Sequence, residues 1–358
     1  MKTIVVLYGG RSTEHEVAVR SANTIINNLD RSKYIVYGVY VDKSGKFIPY
    51  GKIDKAIDST AELTLTTEKT RLESISDFCS LIETLDNPMI FPAIHGQTGE
   101  DGEIQGFLQT LGLSYIGNRL TASALCMDKG FANEVLKSSG ISKSAFVVLT
   151  LDEYNNTPIS EIIEKIETIC KLPCFVKPAN NGSSVGVNRA TKETLPYALK
   201  EAFKYDTRVV IEEEIKGCEL EVSVIGNFDA KASLPGSYTY VRDVLDYTAK
   251  YSDSQTIENV PHKLEEDKTK ELQKLALRAY HALGCEGMAR VDIFMDNNGE
   301  FFVNEVNTFP GMTQTSLAPK LWVQLTDMSF SDYLDVIIDS AEASENNRNN
   351  IVTSWEEA

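Results

Sequence analysis

The chain opens on Thr3-Ile4-Val5-Val6-Leu7-Tyr8, an unbroken apolar run that stops at Gly9-Gly10. Such a run, closed by a glycine pair, predicts a strand buried on both faces. Val17, Ala22, Ile25, Ile26 and Leu29 then recur at helical spacing, so a helix follows the turn. Residues 35–41 and 89–93 predict two more strands. A loop, His95-Gly96-Gln97-Thr98-Gly99-Glu100-Asp101-Gly102, then leads into a helix over 103–111. Strand–helix alternation implies a parallel sheet, and this first α/β domain is expected to cover 1–120. Helices around 121–138 and 158–170, a strand ending in Phe175-Val176-Lys177-Pro178 and another over 208–212 make a smaller second domain, 121–211. The strand-rich third domain is expected over 212–345, so the second and third regions read as α+β. Within it, 238–256 is polar, tyrosine-rich and weakly periodic, and a long loop of this kind in a compact domain is usually functional. The polar run over 344–350 leads into a tail, 346–358, expected to fray.

Composition narrows the function. At 358 residues the chain is too long for one core. Its formal charge of −17, without a basic patch, argues against nucleic acid and against an anionic membrane surface. No apolar run approaches the roughly 20 residues that span a bilayer. The N-terminus lacks a signal-peptide pattern, so a cytoplasmic location is expected. Phosphates, if bound, must be held by local lysines, backbone amides and a metal, because the overall field repels anions. Cys79, Cys126, Cys170, Cys174, Cys218 and Cys285 are scattered without zinc-ligand spacing and read as free thiols. His262 and His281 lie in no motif and read as ordinary surface or helix residues, Trp322 and Phe309 as packing residues.

The sharpest local inference concerns 290–307. Arg290-Val291-Asp292-Ile293-Phe294 and Phe301-Phe302-Val303-Asn304-Glu305-Val306-Asn307 are both strand-like, and Asn298-Gly299 between them is a favoured two-residue hairpin turn. With that turn, paired positions sum to 597, which sets Asp292 opposite Glu305 and Arg290 opposite Asn307. These four share one face; Val291, Ile293 and Val306 take the other. A turn at Asn297-Asn298 would break this register. Two carboxylates about 5 Å apart repel by about 3 kcal/mol at an effective dielectric near 20, which calls for a cation between them. Two carboxylates and an amide suit Mg²⁺ that keeps waters and phosphate oxygens. A solvated strand face with incidental charges is the plainer alternative. Just beyond, Gly311 in Thr308-Phe309-Pro310-Gly311-Met312-Thr313 can bring an amide to a developing oxyanion, or simply form a tight turn.

Lys177-Pro178-Ala179-Asn180-Asn181-Gly182-Ser183-Ser184-Val185-Gly186-Val187 joins two strands. It has the amides, hydroxyls and lysine that surround phosphate, without being a Walker loop; an ordinary Gly/Ser hairpin looks partly the same. After the first strand, Thr13 with Glu16 fits a capping box, which leaves Glu14 at the carboxyl end of a strand, where open α/β sheets bind ligands. Glu14 can hold a substrate ammonium there, or only favour the helix dipole.

Together these segments resemble the ATP-grasp superfamily, and within it the D-alanine–D-alanine ligases. The resemblance rests on GGRSTEHEV (9–17), HGQTGEDGEIQG (95–106), CMDK (126–129), FVKPANNGSSVG (175–186), VIEEEIKGCELEV (210–222), DYTAKY (246–251), MARVDIF (288–294) and NEVNTFPGMTQTSLAP (304–319), in order and at compatible spacings. It implies a three-domain ATP-grasp fold with an N-terminal parallel-sheet domain. It implies that Lys129, Lys177 and, from a lid over 238–256, Lys250 contact ATP phosphates, with Ser183 and Ser184 over the nucleotide. Glu212, Glu213 and Ile215 would line the adenine pocket and Glu219 would hold the ribose. Asp292, Glu305 and Asn307 would bind two Mg²⁺ (or Mn²⁺). Arg290 and the Gly311 amide would stabilise the tetrahedral intermediate, and Glu14, hydrogen-bonded with Ser183 and Tyr251, would hold the ammonium of the first D-alanine. His95 would lie near that substrate, Ser316 and Leu317 near the second.

The implied reaction joins two D-alanines through an acyl phosphate, for peptidoglycan precursors, in a homodimer that a monovalent cation can activate. Tyr251 and Leu317 favour D-alanine as the second substrate over D-serine or D-lactate; Leu245, where many relatives carry an aromatic residue, departs from the pattern and bears on lid packing. Another ATP-grasp carboxylate–amine ligase would share Lys177, Asp292, Glu305 and Asn307. A nucleotide-binding regulator without catalysis is the alternative of a different class.

Overall fold

The structure is a computed structural model and describes residues 1–182, 184–239 and 257–352. Ser183, Lys250, Tyr251, Leu245 and most of the 238–256 segment lie outside the described residues. The opening apolar run is strand β1 (Lys2–Gly9), at the centre of a sheet with β2 (Tyr34–Val41), β3 (Phe47–Lys52), β4 (Met89–Ala93) and β5 (Ser114–Tyr115) in the order β3-β2-β1-β4-β5. β2, β1, β4 and β5 run parallel and β3 is antiparallel. From Thr3 to Gly9 every residue of β1 is buried, as its hydrophobicity requires. Helix α1 (His15–Asn28) turns Ala18, Val19, Ala22, Ile25 and Ile26 onto the sheet. The expected capping box is absent: Glu14 is the N-cap residue, no side chain caps the helix, and Glu16 pairs with Lys43 on the surface.

The predicted helix over 103–111 is α3 (Glu103–Thr110), following α2 (Arg71–Glu83). The stretch over 121–138 is two helices, α4 (Leu120–Met127) and α5 (Lys129–Ser138). They break at Asp128, whose side chain accepts the Phe131 amide and caps the second. A second sheet, β6-β9-β7-β8, is antiparallel throughout and holds β6 (Phe146–Thr150), β7 (Cys174–Pro178), β8 (Asn188–Ala190) and β9 (Arg208–Glu213). Helices α7 (Ile159–Ile169) and α8 (Leu195–Ala202) close its own apolar core, built on Ile162, Ile166, Val176 and Leu199. A third sheet, β11-β10-β14-β15, holds β10 (Gly217–Gly226), β11 (Lys231–Ala232), β14 (Gly287–Asp296) and β15 (Phe301–Asn307), backed by α9 (Glu266–Ala282), while β12 (Ser237–Thr239) and β13 (Ile257–Asn259) pair with each other.

The last helix, α11 (Phe330–Asn349), corrects the expected tail. Its early turns bury Tyr333, Leu334, Ile337 and Ile338 in one cluster with Ile4, Val6 and Met288, so it belongs to the first and third sheets together. Its polar last turns are held by charge instead: Arg348 pairs with Glu286, and Glu345 lies 3.3 Å from Arg119. A polar run reads as frayed, but these partners keep it helical to Asn349. All six cysteines are free thiols, Trp322 and Phe309 are buried, and among the described residues no helix is long and apolar enough to cross a membrane. His281 lies on α9, whereas His262 is half-buried in a loop with Nδ1 2.8 Å from Ser237 Oγ.

Candidate active site

The acidic ribbon is β14–β15. Arg290 pairs with Asn307, and Asp292 with Glu305, as the 597 register requires. The turn is not the one that led there. Gly299 N donates to Asp296 O at 3.0 Å, which centres the turn on Asn297-Asn298, and Gly299 takes the left-handed conformation (φ 81°) behind it. From this turn the register sums to 596, with Met295 on Phe301 and Ile293 on Val303; a bulge at the Asp292/Ile293 step then shifts it by one. The two offsets cancel. The bulge brings Val303 and Val306 both into the core and leaves Asn304 as the extra residue.

Asn304 sits at a crossing of chains. Its amide Nδ2 donates to Glu219 Oε1 at 2.7 Å, and its Oδ1 takes Lys177 Nζ at 3.4 Å. Lys177, from β7, also reaches Glu212 Oε2 at 2.6 Å. Glu212 Oε1 in turn holds Asn133 Nδ2 and Lys143 Nζ, both at 2.9 Å. Burial pushes the Glu212 carboxyl up, but the ammonium groups of Lys143 and Lys177 outweigh it and hold Glu212 well below the usual carboxylate range. Burial pulls the Lys143 ammonium down, with Glu212 holding it up. For Lys177 burial works the same way, but Glu212, Glu305 and Glu219 together raise it. Neither Asn133 nor Lys143 was legible as a site residue. Each is a lone polar residue in an unmarked stretch, and only the packing of three elements around Glu212 reveals it.

Lys129, the first residue of α5, ties the Gly/Ser loop to the ribbon. Its Nζ donates to Asn181 O at 2.8 Å and lies 3.4 Å from Glu305 Oε2. The loop is anchored by Asn180, whose backbone N–H donates to Asp206 and whose side chain donates to Asp206 and Asp128. Ser184, in this loop, has φ 59°. Ile215 and Glu213 follow at the rim, where Glu213 pairs with Lys171.

Asp292 is buried and takes a two-pronged hydrogen bond from Arg290, both distances 2.7 Å, with Asn307 Nδ2 at 3.0 Å. Arg290 Nε also lies 3.1 Å from Glu221 on β10. Burial works against the guanidinium charge, and Asp292 and Glu221 outweigh it. The facing carboxylates therefore already have side-chain cations, Arg290 for Asp292 and Lys129 for Glu305, which the bare cross-strand repulsion left out. Among the described residues no three or more His, Cys, Asp or Glu side chains gather as a metal cluster. The donor set is two carboxylates plus the Oδ1 of Asn307. That all-oxygen, incomplete shell fits Mg²⁺ with its own waters and phosphate oxygens, and does not fit a fully protein-ligated metal.

The second half of the site comes from the first sheet. A Cβ on Gly96, whose φ is 71°, would lie 2.6 Å from both Glu14 Oε2 and Ser12 Oγ, so this loop passes too close to Glu14 for any side chain. The same Glu14 oxygen lies 3.6 Å from where a Gly182 Cβ would stand, which puts Glu14 beside the Gly/Ser loop. His95 is buried between domains: Nε2 lies 2.8 Å from Ser21 Oγ and Nδ1 3.2 Å from Phe309 O, with its ring on Phe309. Ser21 Oγ also accepts the Met312 amide at 3.3 Å, so α1 and His95 hold the Gly311 turn from below. Gly311 abuts Ser316, whose Oγ would lie 2.7 Å from a Cβ at 311 and accepts the Thr313 amide. Leu317 opens helix α10 (Leu317–Val323), buried against the backbone at Gly236.

Glu100, which the sequence did not single out, accepts the Gly96 amide at 2.9 Å and lies 3.5 Å from His95 Nδ1. Burial pushes its carboxyl up and the charge of Glu14 adds to that, against His95 and the amide. A carboxyl raised above its unfolded value of 4.5 holds its proton longer in the folded state, so stability falls as pH rises through that window. Glu100→Gln is therefore expected to raise the unfolding midpoint near pH 7 and to leave it unchanged below about pH 4, as thermal melts across pH would record.

The description "D-ala D-ala ligase N-terminus" matches residues 3–118, and "D-ala D-ala ligase C-terminus" matches 135–339. A D-alanine–D-alanine ligase of Finegoldia magna is 45% identical over 341 residues, 94% of this chain and 95% of that one. Among solved structures, the D-alanine–D-alanine ligase of Coxiella burnetii superposes with a TM-score of 0.78 at 30% identity, over 97% of this chain and 96% of that one. The D-Ala:D-Ser ligase VanG of Enterococcus faecalis gives 0.80 at 29%, over 95% and 99%. The chain belongs to the D-alanine–D-alanine ligase family.

Proposed function

We propose that this protein joins two D-alanines to D-alanyl-D-alanine with ATP, in the cytoplasm, as a homodimer supplying peptidoglycan precursors. The observation that carries this is the convergence on one sheet face. Lys129 spans the Gly/Ser loop and Glu305, Lys177 stands beside Asn304, and Asp292, Glu305 and Asn307 share the face, with Glu14 beside Gly182 at the far side. In the proposed reaction the carboxylate of the first D-alanine, its ammonium held by Glu14, attacks the γ-phosphate and gives an acyl phosphate. The amine of the second, once deprotonated, attacks the acyl carbon, and phosphate leaves through a tetrahedral intermediate whose oxyanion faces Arg290 and the Gly311 amide.

Lys129, Lys177 and Lys250 neutralise the transferring phosphoryl group; Glu212, Glu213 and Ile215 line the adenine and Glu219 the ribose. Asp292, Glu305 and Asn307 would hold Mg²⁺, in a pair, which would supply charge neutralisation at the phosphates. The family resemblance assigns Ser183 and Tyr251 to act with Glu14, and the 238–256 segment to exclude water from the acyl phosphate. Ser316 and Leu317 border the second substrate. The apolar Leu317 favours D-alanine there, while the fold is shared with a D-Ala:D-Ser ligase and does not discriminate.

Phosphate release with Mg-ATP decides between these substrates. D-alanine alone is expected to support turnover and yield the dipeptide, with L-alanine inactive. Faster turnover with D-serine or D-lactate as partner moves the assignment to those ligases, and turnover only with an L-amino acid rejects it.

A further inference from the structure

Among the described lysines of the site Lys143 is the most deeply buried, 3% exposed, yet it stands in a loop with no motif. Two hydrogen bonds pin that loop between sheets: Val303 N to Ser142 O at 2.9 Å on β15, and Glu213 N to Ala145 O at 2.9 Å on β9. Lys143 Nζ therefore lands on two acceptors, Glu212 Oε1 at 2.9 Å and the carbonyl of Asn304, the bulge residue, at 2.6 Å.

The charges around it explain why a lysine is there. Glu212, Glu219 and Glu305 are three carboxylates; Lys129, Lys177 and Lys143 are three ammoniums. With Lys143 these six described groups sum to zero charge. Glu212 already holds Lys177 at 2.6 Å; without Lys143 it would draw on Lys177 alone and these groups would carry a net negative charge, in a protein whose overall −17 already repels polyphosphate.

We propose that Lys143 is a positioning residue for the nucleotide: by sharing the charge of Glu212 with Lys177, it leaves part of the Lys177 charge for phosphate. The inference rests on the ligase reading, which assigns Lys177 to the phosphates. Its chemistry is specific to phosphorylated nucleotides, so adenosine is the internal control.

The test is calorimetric binding of MgADP and of adenosine to the full chain and its variants. Lys143→Met keeps the volume and is expected to weaken ADP on the order of tenfold while changing adenosine little. Lys143→Arg keeps the charge and is expected to retain the ADP-to-adenosine ratio. Lys143→Met combined with Glu212→Gln returns the sum to zero and is expected to recover that ratio. Equal losses for ADP and adenosine, or a double variant no better than Lys143→Met, would mean that Lys143 only props the loop, and would overturn the proposal. If Lys143→Met does not fold, the arginine and double variants still decide it. Failure of the unaltered chain to bind ADP would reject the ligase reading itself, separately from phosphate release.

Discussion

Arg290→Met is expected to slow ligation by about 10²–10³ and to destabilise the fold in one step. Arg290 is the shared partner of two carboxylates, Asp292 at 2.7 Å and Glu221 at 3.1 Å, which face each other across β14 and β10. All three side chains are largely buried, at 21%, 5% and 13% exposure. Removing one member of a buried pair leaves an uncompensated charge and costs about 3–5 kcal/mol. Here two like charges are left facing each other, so the upper part of that range is expected in urea unfolding. Without the guanidinium the proposed tetrahedral intermediate loses its main cation, and kcat should drop by about 10²–10³. Arg290→Lys keeps a charge but not the planar fork, so it should recover part of the stability and little of the rate. Wild-type turnover in Arg290→Met would remove Arg290 from the catalytic set.

Much of this site could be read from the chain because its parts are local. Asp292 and Glu305 are brought together by one hairpin, and once its register is set a two-residue side-chain period puts them on one face. Even so, the pairing was right through two compensating shifts, the turn at Asn297-Asn298 and the bulge at Asn304. A bulge leaves no compositional mark, so the residue it frees, Asn304, was invisible although it touches Lys177 and Glu219. Lys143 and Asn133 were invisible for a related reason. Their partner, Glu212, lies 69 and 79 positions away in sequence, and no local pattern encodes a contact at that range. The fold divides the same way. Strands and helices with clear apolar periods fell where expected, whereas the break at Asp128 and the helical end of α11 depend on a single cap and on ion pairs to other segments. Ser183, Lys250 and Tyr251 stand on the family resemblance alone.

Glu14→Gln is the substitution that separates a binding role from a structural one. Glu14 precedes α1 as its N-cap residue, and no side-chain cap bond holds that end. If its charge served only the helix dipole, the amide would cost about 0.3–1 kcal/mol of stability and leave catalysis alone. The surroundings point the other way: Gly96 and Gly182 crowd the carboxylate, and its charge lies close enough to Glu100 to push that carboxyl up. Neutralising Glu14 relieves that repulsion, so the unfolding midpoint should stay level or rise. A charge-assisted hydrogen bond to a substrate ammonium is worth about 1.5–3 kcal/mol, so the KM for the first D-alanine should rise about 10- to 100-fold. ATP binding, proposed for Lys129 on α5 and Lys177 on β7, should not change. Steady-state kinetics with D-alanine varied at saturating ATP, beside a thermal melt, measures both. A lower melting point with an unchanged KM would return Glu14 to the helix, and the ammonium of the first substrate would need another partner.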